Sequence, residues 1–122
     1  MGITSIVKEN CICLTDRDDT ILRITETLKN EEAEITLEGD LRSDTALVLG
    51  DELKILALLD RNLSVNLQKV NGLSTSCCRA FLSVQQMIDN NEKGSLKLVK
   101  IPAPILEKMA ATGLTSLLQI EK

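Results

Sequence analysis

The chain has 122 residues, enough for one domain with a buried core. Its 43% apolar content includes one aromatic, Phe81, and there is no Trp, Tyr or His, so the core must be aliphatic. The commonest general base and metal ligand is therefore missing, as are the ring platforms on which single-stranded nucleic acid stacks. Eighteen acidic against fourteen basic residues give a net charge of −4, and no Lys/Arg cluster stands out, so a nucleic-acid partner is not expected.

Met1 to Asn10 reads as a loosely held terminus. Ile3, Ile6 and Val7 are too sparse for a signal peptide, and no apolar run approaches the roughly 20 residues needed to cross a bilayer. The expected compartment is the cytosol, with no membrane insertion. Cys11, Cys13, Cys77 and Cys78 lack the C-x-x-C spacing of a zinc knuckle or redox motif. They read as buried, reduced small hydrophobes. Cys11-Ile12-Cys13-Leu14 is a short strand. The turn cluster Asp16-Arg17-Asp18-Asp19 leads into a second strand from Thr20 to Lys29, with Ile21, Ile24, Thr25 and Thr27, so the two form a hairpin. The aspartates lack the ordered ligands and closing Glu of a calcium loop and read as a solvated turn.

Asn30-Glu31-Glu32 is a second polar turn. Ala33 to Leu37 is a strand with Ile35 and Leu37 on one face, closed by Gly39-Asp40-Leu41. Ser43 or Asp44 can cap the next helix, which runs to about Asp60. Ala46, Leu49, Leu53, Leu56 and Ala57 form its apolar stripe, broadened by Val48, Ile55 and Leu59. Asp51, Glu52 and Lys54 mark the wet side. Gly50 costs roughly 1 kcal/mol relative to Ala in a helix interior, which points to a close packing contact.

Leu63, Val65 and Leu67 alternate with Ser64, Asn66 and Gln68, the pattern of a strand with one buried face. A strand between two helix layers would be nearly all apolar, so the helices are expected on one side of the sheet. The stretch Val70-Asn71-Gly72-Leu73-Ser74-Thr75-Ser76-Cys77-Cys78 then joins strand to helix, with three consecutive hydroxyls at the junction. One of them is expected to cap the helix. That helix runs to about Asn90, with Cys77, Ala80, Phe81, Val84, Met87 and Ile88 inward. Asn90 to Gly94 stops it. Ser95 to Ile101 is a strand. Pro102 and Pro104 bracket a helix start, and Ile105, Leu106, Met109 and Ala110 supply its buried side. Gly113 followed by Leu114 fits a glycine C-cap. Leu117 to Ile120 is a closing strand. From Ala33 the elements alternate strand and helix, which implies mostly parallel neighbours joined by right-handed crossovers.

At these residues the chain resembles the STAS domain, the family of bacterial anti-sigma-factor antagonists. Glu38-Gly39-Asp40-Leu41 is similar to the family's Gly-Glu-Leu-Asp signature, with Asp40 for Glu and Arg42 for Asp. The strand–hydroxyl–helix junction from Leu67 to Leu82 is similar to its central switch, and Thr112-Gly113-Leu114 to its ending. The resemblance covers about residues 33–122. It implies a single α/β domain with a mixed, mostly parallel sheet, helices packed on one face, and an added N-terminal hairpin.

The resemblance also implies a non-catalytic protein-binding module whose partner is an anti-sigma kinase or related regulatory protein. Neither cofactor nor small-molecule substrate is implied. The family motif Asp-Ser-Ser/Thr-Gly falls on Ser74, Thr75, Ser76 and Cys77, which places phosphorylation at Thr75 or Ser76. The partner-binding set it implies is Gly39, Asp40, Ser74, Thr75, Cys78 and Arg79. Independently of the family, an exposed hydroxyl at a helix start is accessible to a kinase, and a phosphate adds nearly two negative charges there. The competing expectation is a plain helix cap in a structural subunit of a transporter or signalling scaffold. An enzyme is not expected, because there is no His, Gly-rich phosphate loop or paired acid in the sequence pattern.

Overall fold

The computed structural model describes residues 4–8, 10–16, 19–29, 32–59, 62–91, 94–113 and 119–121. Among these, seven strands form one sheet in chain order. They are β1 (Thr4–Lys8), β2 (Cys11–Asp16), β3 (Asp19–Lys29), β4 (Glu32–Leu41), β5 (Asn62–Leu73), β6 (Ser95–Val99) and β7 (Gln119–Glu121). Three helices, α1 (Ala46–Leu58), α2 (Thr75–Asn91) and α3 (Ala103–Ala111), form the connections after β4, β5 and β6. β1 to β4 pair antiparallel, and β4 to β7 pair parallel. Because β4 to β7 step sideways in one direction, crossovers of the usual right hand put all three helices on the same face. The expected one-sided α/β architecture is the one observed.

The N-terminal third differs from its expected form. Thr4 to Lys8 is a strand, so the sheet gains three strands there and its antiparallel ladders equal its parallel ones in number. These strands widen the sheet sideways, and among the described residues no element covers its second face. That face is polar along Glu34, Thr36, Ser64 and Asn66, while Ala33, Ile35, Leu37, Leu63, Val65 and Leu67 turn to the helices.

β5 illustrates how register keeps the core continuous. Its partners on β4 jump from Thr36↔Asn66 to Glu38↔Lys69, and from Gly39↔Val70 to Asp40↔Gly72. Each jump inserts one extra residue in β5, a β-bulge that reverses which face the next side chain takes. Buried positions therefore pass from Leu63, Val65 and Leu67 to Val70 and then Leu73. This also carries the strand to Leu73, beyond the Leu63–Gln68 alternation.

Phe81 is fully buried, and Leu49, Leu53, Leu56, Val84, Ile88, Ile105 and Met109 join it above the sheet. α1 and α2 pack together, with Gly50 at their contact: a Cβ there would lie 3.4 Å from that of Ala80. The expected contact at Gly50 is thus present. Two expected core positions of α1 are not buried. Ile55 is 54% and Leu59 58% exposed, and both lie off the buried stripe of Leu49, Leu53, Leu56 and Ala57.

Local punctuation follows backbone chemistry. β6 ends at Val99 rather than Ile101 because Lys100 takes a left-handed φ of 53°. α3 starts from Pro102, with Pro104 in its first turn. It ends with Gly113 at φ 79°, whose N–H donates to the Ala110 carbonyl. Leu114, Leu117 and Leu118, the turn at Asn30-Glu31 and Asp18 lie outside the described residues. Ile120 pairs with Leu98 as part of the closing strand.

Candidate functional site

The junction sits at one end of the sheet, where β4 and β5 finish and α1 and α2 begin. Ser74 is the N-cap of α2: its Oγ accepts the Cys77 backbone N–H at 3.2 Å, and its carbonyl accepts from Cys78 N at 3.1 Å. The Ser74 N–H donates to the Leu41 carbonyl at 2.7 Å, which ties the junction to the end of β4. Loss of this type of cap costs about 1 kcal/mol. Ser74→Ala is accordingly expected to lower stability by about 1 kcal/mol, read as a smaller urea midpoint with an unchanged slope.

Thr45, rather than Ser43 or Asp44, precedes α1, and no side chain caps that helix. Its hydroxyl is fully buried and works within the loop instead. Thr45 Oγ1 accepts from Arg42 N at 3.1 Å and donates to the Arg42 carbonyl at 2.9 Å. The Cys77 thiol donates to the same carbonyl at 3.3 Å. One backbone oxygen therefore anchors the beginnings of both helices. Thr45 carries no sequence signal that distinguishes it from the two polar residues before it; only the closed loop shows its role.

The proposed switch residues divide by burial. Thr75, the first residue of α2, is exposed, as are Asp40 and Arg79, while Ser74 and Ser76 are partly exposed. Cys78, expected on the partner surface, is 3% exposed and packs into the core one position after Cys77, because the wide apolar arc of α2 takes in both thiols. Burial pushes both thiols up in pKa. Cys77, at the family's glycine position, turns inward and leaves the outer surface of the first turn clear.

Gly39 has a backbone reason to be glycine. It lies at φ 122° in β4, and a Cβ there would fall 2.1 Å from the Ile21 carbonyl oxygen. The β2–β3 register passes from Leu14↔Leu22 to Thr15↔Thr20, leaving Ile21 as an extra residue whose carbonyl crowds Gly39.

Two concavities flank Thr75. Asp40, Arg42, Asp44, Gly72 and Ser74 line one, where Arg42 and Asp44 form an exposed 2.6 Å ion pair. The other runs between α1 and α2 past Leu47, Asp51, Lys54, Ser76, Arg79 and Ser83. Ser43 lines both. Among the described residues no group of three or more His, Cys, Asp and Glu converges as a metal site, and no helix is long and apolar enough to cross a membrane.

The fold has close counterparts among solved structures, all at low identity. An anti-sigma factor antagonist from Mycobacterium paratuberculosis aligns over 88% of this chain and 89% of its own, with TM-score 0.72 and 16% identity. Thermotoga maritima TM1081, a candidate anti-sigma factor antagonist, aligns over 81% of this chain and 86% of its own, with TM-score 0.72 and 11% identity. The Bacillus cell fate determinant SpoIIAA in its phosphorylated form aligns over 81% and 91%, with TM-score 0.62 and 11% identity. No curated protein matches the sequence. The family model described as "Mlab, STAS domain" matches residues 24–119, which take in all three helices and most of the sheet, and the chain belongs to the STAS-domain family.

Proposed function

We propose that this domain is a non-catalytic regulatory module that binds a protein partner through the surface around Thr75 and is released by phosphorylation there. The observation that carries the reading is the position of Thr75. It is exposed at the first position of α2, and its chain neighbours Ser74 and Ser76 each line one of two adjoining concavities. A partner seated on Asp40, Ser74, Thr75, Ser76 and Arg79 would cover that hydroxyl. The helix N-terminus tolerates a phosphate, because its dipole and free N–H groups favour negative charge. The domain would therefore keep its fold while the partner is expelled by the cost of burying the new charge. The likeness to anti-sigma factor antagonists, one of them solved in phosphorylated form, supports an anti-sigma kinase as the partner class.

The experiment is binding of the purified domain to the candidate kinase, with and without ATP. Phosphate is expected on Thr75 or Ser76, and Thr75→Asp is expected to weaken binding at least tenfold, about 1.4 kcal/mol. Absence of phosphate together with unchanged binding of Thr75→Asp would overturn the switch. A second reading, a constitutive structural subunit of a transporter or signalling complex, is favoured by Ser74 and Cys77 at the family's Asp and Gly positions. It predicts a complex that survives Thr75→Asp.

A further inference from the structure

Cys11 and Cys13 differ from the other two cysteines. They are part-buried on β2 rather than in the core, and both thiols are free. Two residues apart on one strand, they project to the same face. Their cross-strand partners on β3 are Thr25 and Arg23, and Arg23 pairs in turn with Glu38 on β4. This is the face without helices, since Ile12, Leu14, Leu22 and Ile24 occupy the other. The two sulfurs lie 3.8 Å apart, the Thr25 hydroxyl is 4.0 Å from the Cys11 sulfur, and the Arg23 guanidinium lies beside Cys13.

We infer that Cys11 and Cys13 form a two-thiolate chelate for a thiophilic divalent cation of the zinc and cadmium type on the open face of the sheet. The sulfur spacing carries the inference. Two thiolates bound tetrahedrally at about 2.3 Å lie about 3.8 Å from each other, so a bridging ion fits the 3.8 Å pair without moving the strand. An intrachain disulfide fits less well. Alternate residues of a strand have Cα atoms about 6.6–6.8 Å apart, at the upper limit of disulfide reach, and closing the bond would buckle β2. Soft sulfur ligands select such ions over magnesium or calcium.

Two positions on the ion remain for water or a small exogenous ligand. The ion is thus held reversibly rather than enclosed as in a four-ligand structural site. The two thiols release their protons to solvent as the sulfur lone pairs bind the metal, and two thiolates neutralise a divalent charge. Because both thiol protons must be displaced, affinity rises with pH. The site lies on the opposite face of the sheet from the helices and is independent of the Thr75 reading.

The test is titration of the full, reduced chain with cadmium alone, following thiolate-to-metal charge-transfer absorption. Alkylation of each cysteine is mapped by peptide mass in parallel. Expected are one ion per chain, protection of Cys11 and Cys13, tighter binding at higher pH, and at least a tenfold loss of affinity in Cys11→Ser and in Cys13→Ser. Slow alkylation of buried Cys77 and Cys78 in both variants reports that they remain folded. Equal affinity in the Cys11→Ser/Cys13→Ser double variant, or no cadmium bound by the folded reduced chain, would overturn the inference.

Discussion

Gly39→Ala is expected to destabilise the domain by about 3 kcal/mol or more, a large share of the stability of a domain this size. Two effects add. Alanine is strained at φ 122°, and its methyl carbon would sit 2.1 Å from the Ile21 carbonyl oxygen. That oxygen belongs to backbone fixed between β2 and β4, so relief requires both strands to shift. Gly113→Ala is an internal control. Its φ is also positive, at 79°, but nothing lies within 4 Å of the added carbon. It should cost only the backbone preference, about 1 kcal/mol. Urea unfolding of both variants separates clash from conformation, and equal losses would refute the packing account of Gly39. Such a result would return Gly39 to the partner-binding role that the family signature implies.

The pH dependence of stability is expected to be set in large part by Glu26. This carboxyl lies on the helix-facing side of β3, beside Ile24 and opposite Ile35, both fully buried. One of its oxygens, Oε2, is buried without a partner, and its hydrogen-bonding neighbour is the carboxyl of Glu52 on α1. Burial first, then the hydrogen bond and charge of Glu52, push Glu26 up to about 8 from an ordinary 4.5. Between those values the folded protein holds a proton that the unfolded chain has released. The contribution of Glu26 to stability therefore falls as pH rises from about 4.5 to about 8.

Because the side chain is partly open to solvent, screening reduces the effect to about 1–2 kcal/mol. Glu26→Gln keeps the shape, cannot ionise, and should remove the slope. It should be more stable than the parent by about 1–2 kcal/mol at pH 9 and about equal at pH 4. Parallel stability profiles for the two proteins across this range would show that Glu26 is well solvated.

Much of the fold was legible because it is written in periodicities. The i, i+3, i+7 stripe of α1 and the alternation in β5 report which side of each element is buried, whatever lies against it. Hence Leu49, Leu53, Leu63 and Val65 are core residues as expected. The first strand was not legible, since Ile6 and Val7 are 45% and 71% exposed on an edge and leave no alternating pattern. Glu26 escaped notice for a related reason. In a run read by its β-formers, a single carboxyl carries no mark of the face it will occupy. Glu52 read as solvent-facing because it lies off the apolar stripe, yet the widened sheet places β3 beneath that flank of α1.

At the candidate site, local chemistry is enough to start α2 at a hydroxyl and to put Thr75 directly after it. Cap chemistry is local: Ser74 needs only the N–H three residues ahead. Long-range packing fixed everything that depends on residues distant in the chain. It turned Cys78 inward beside Cys77. It joined both helix starts at the Arg42 carbonyl and set Ile21 against Gly39. Those outcomes depend on strand register and bulges. A one-residue change in either reverses every face beyond it, and no local pattern encodes where the change will fall.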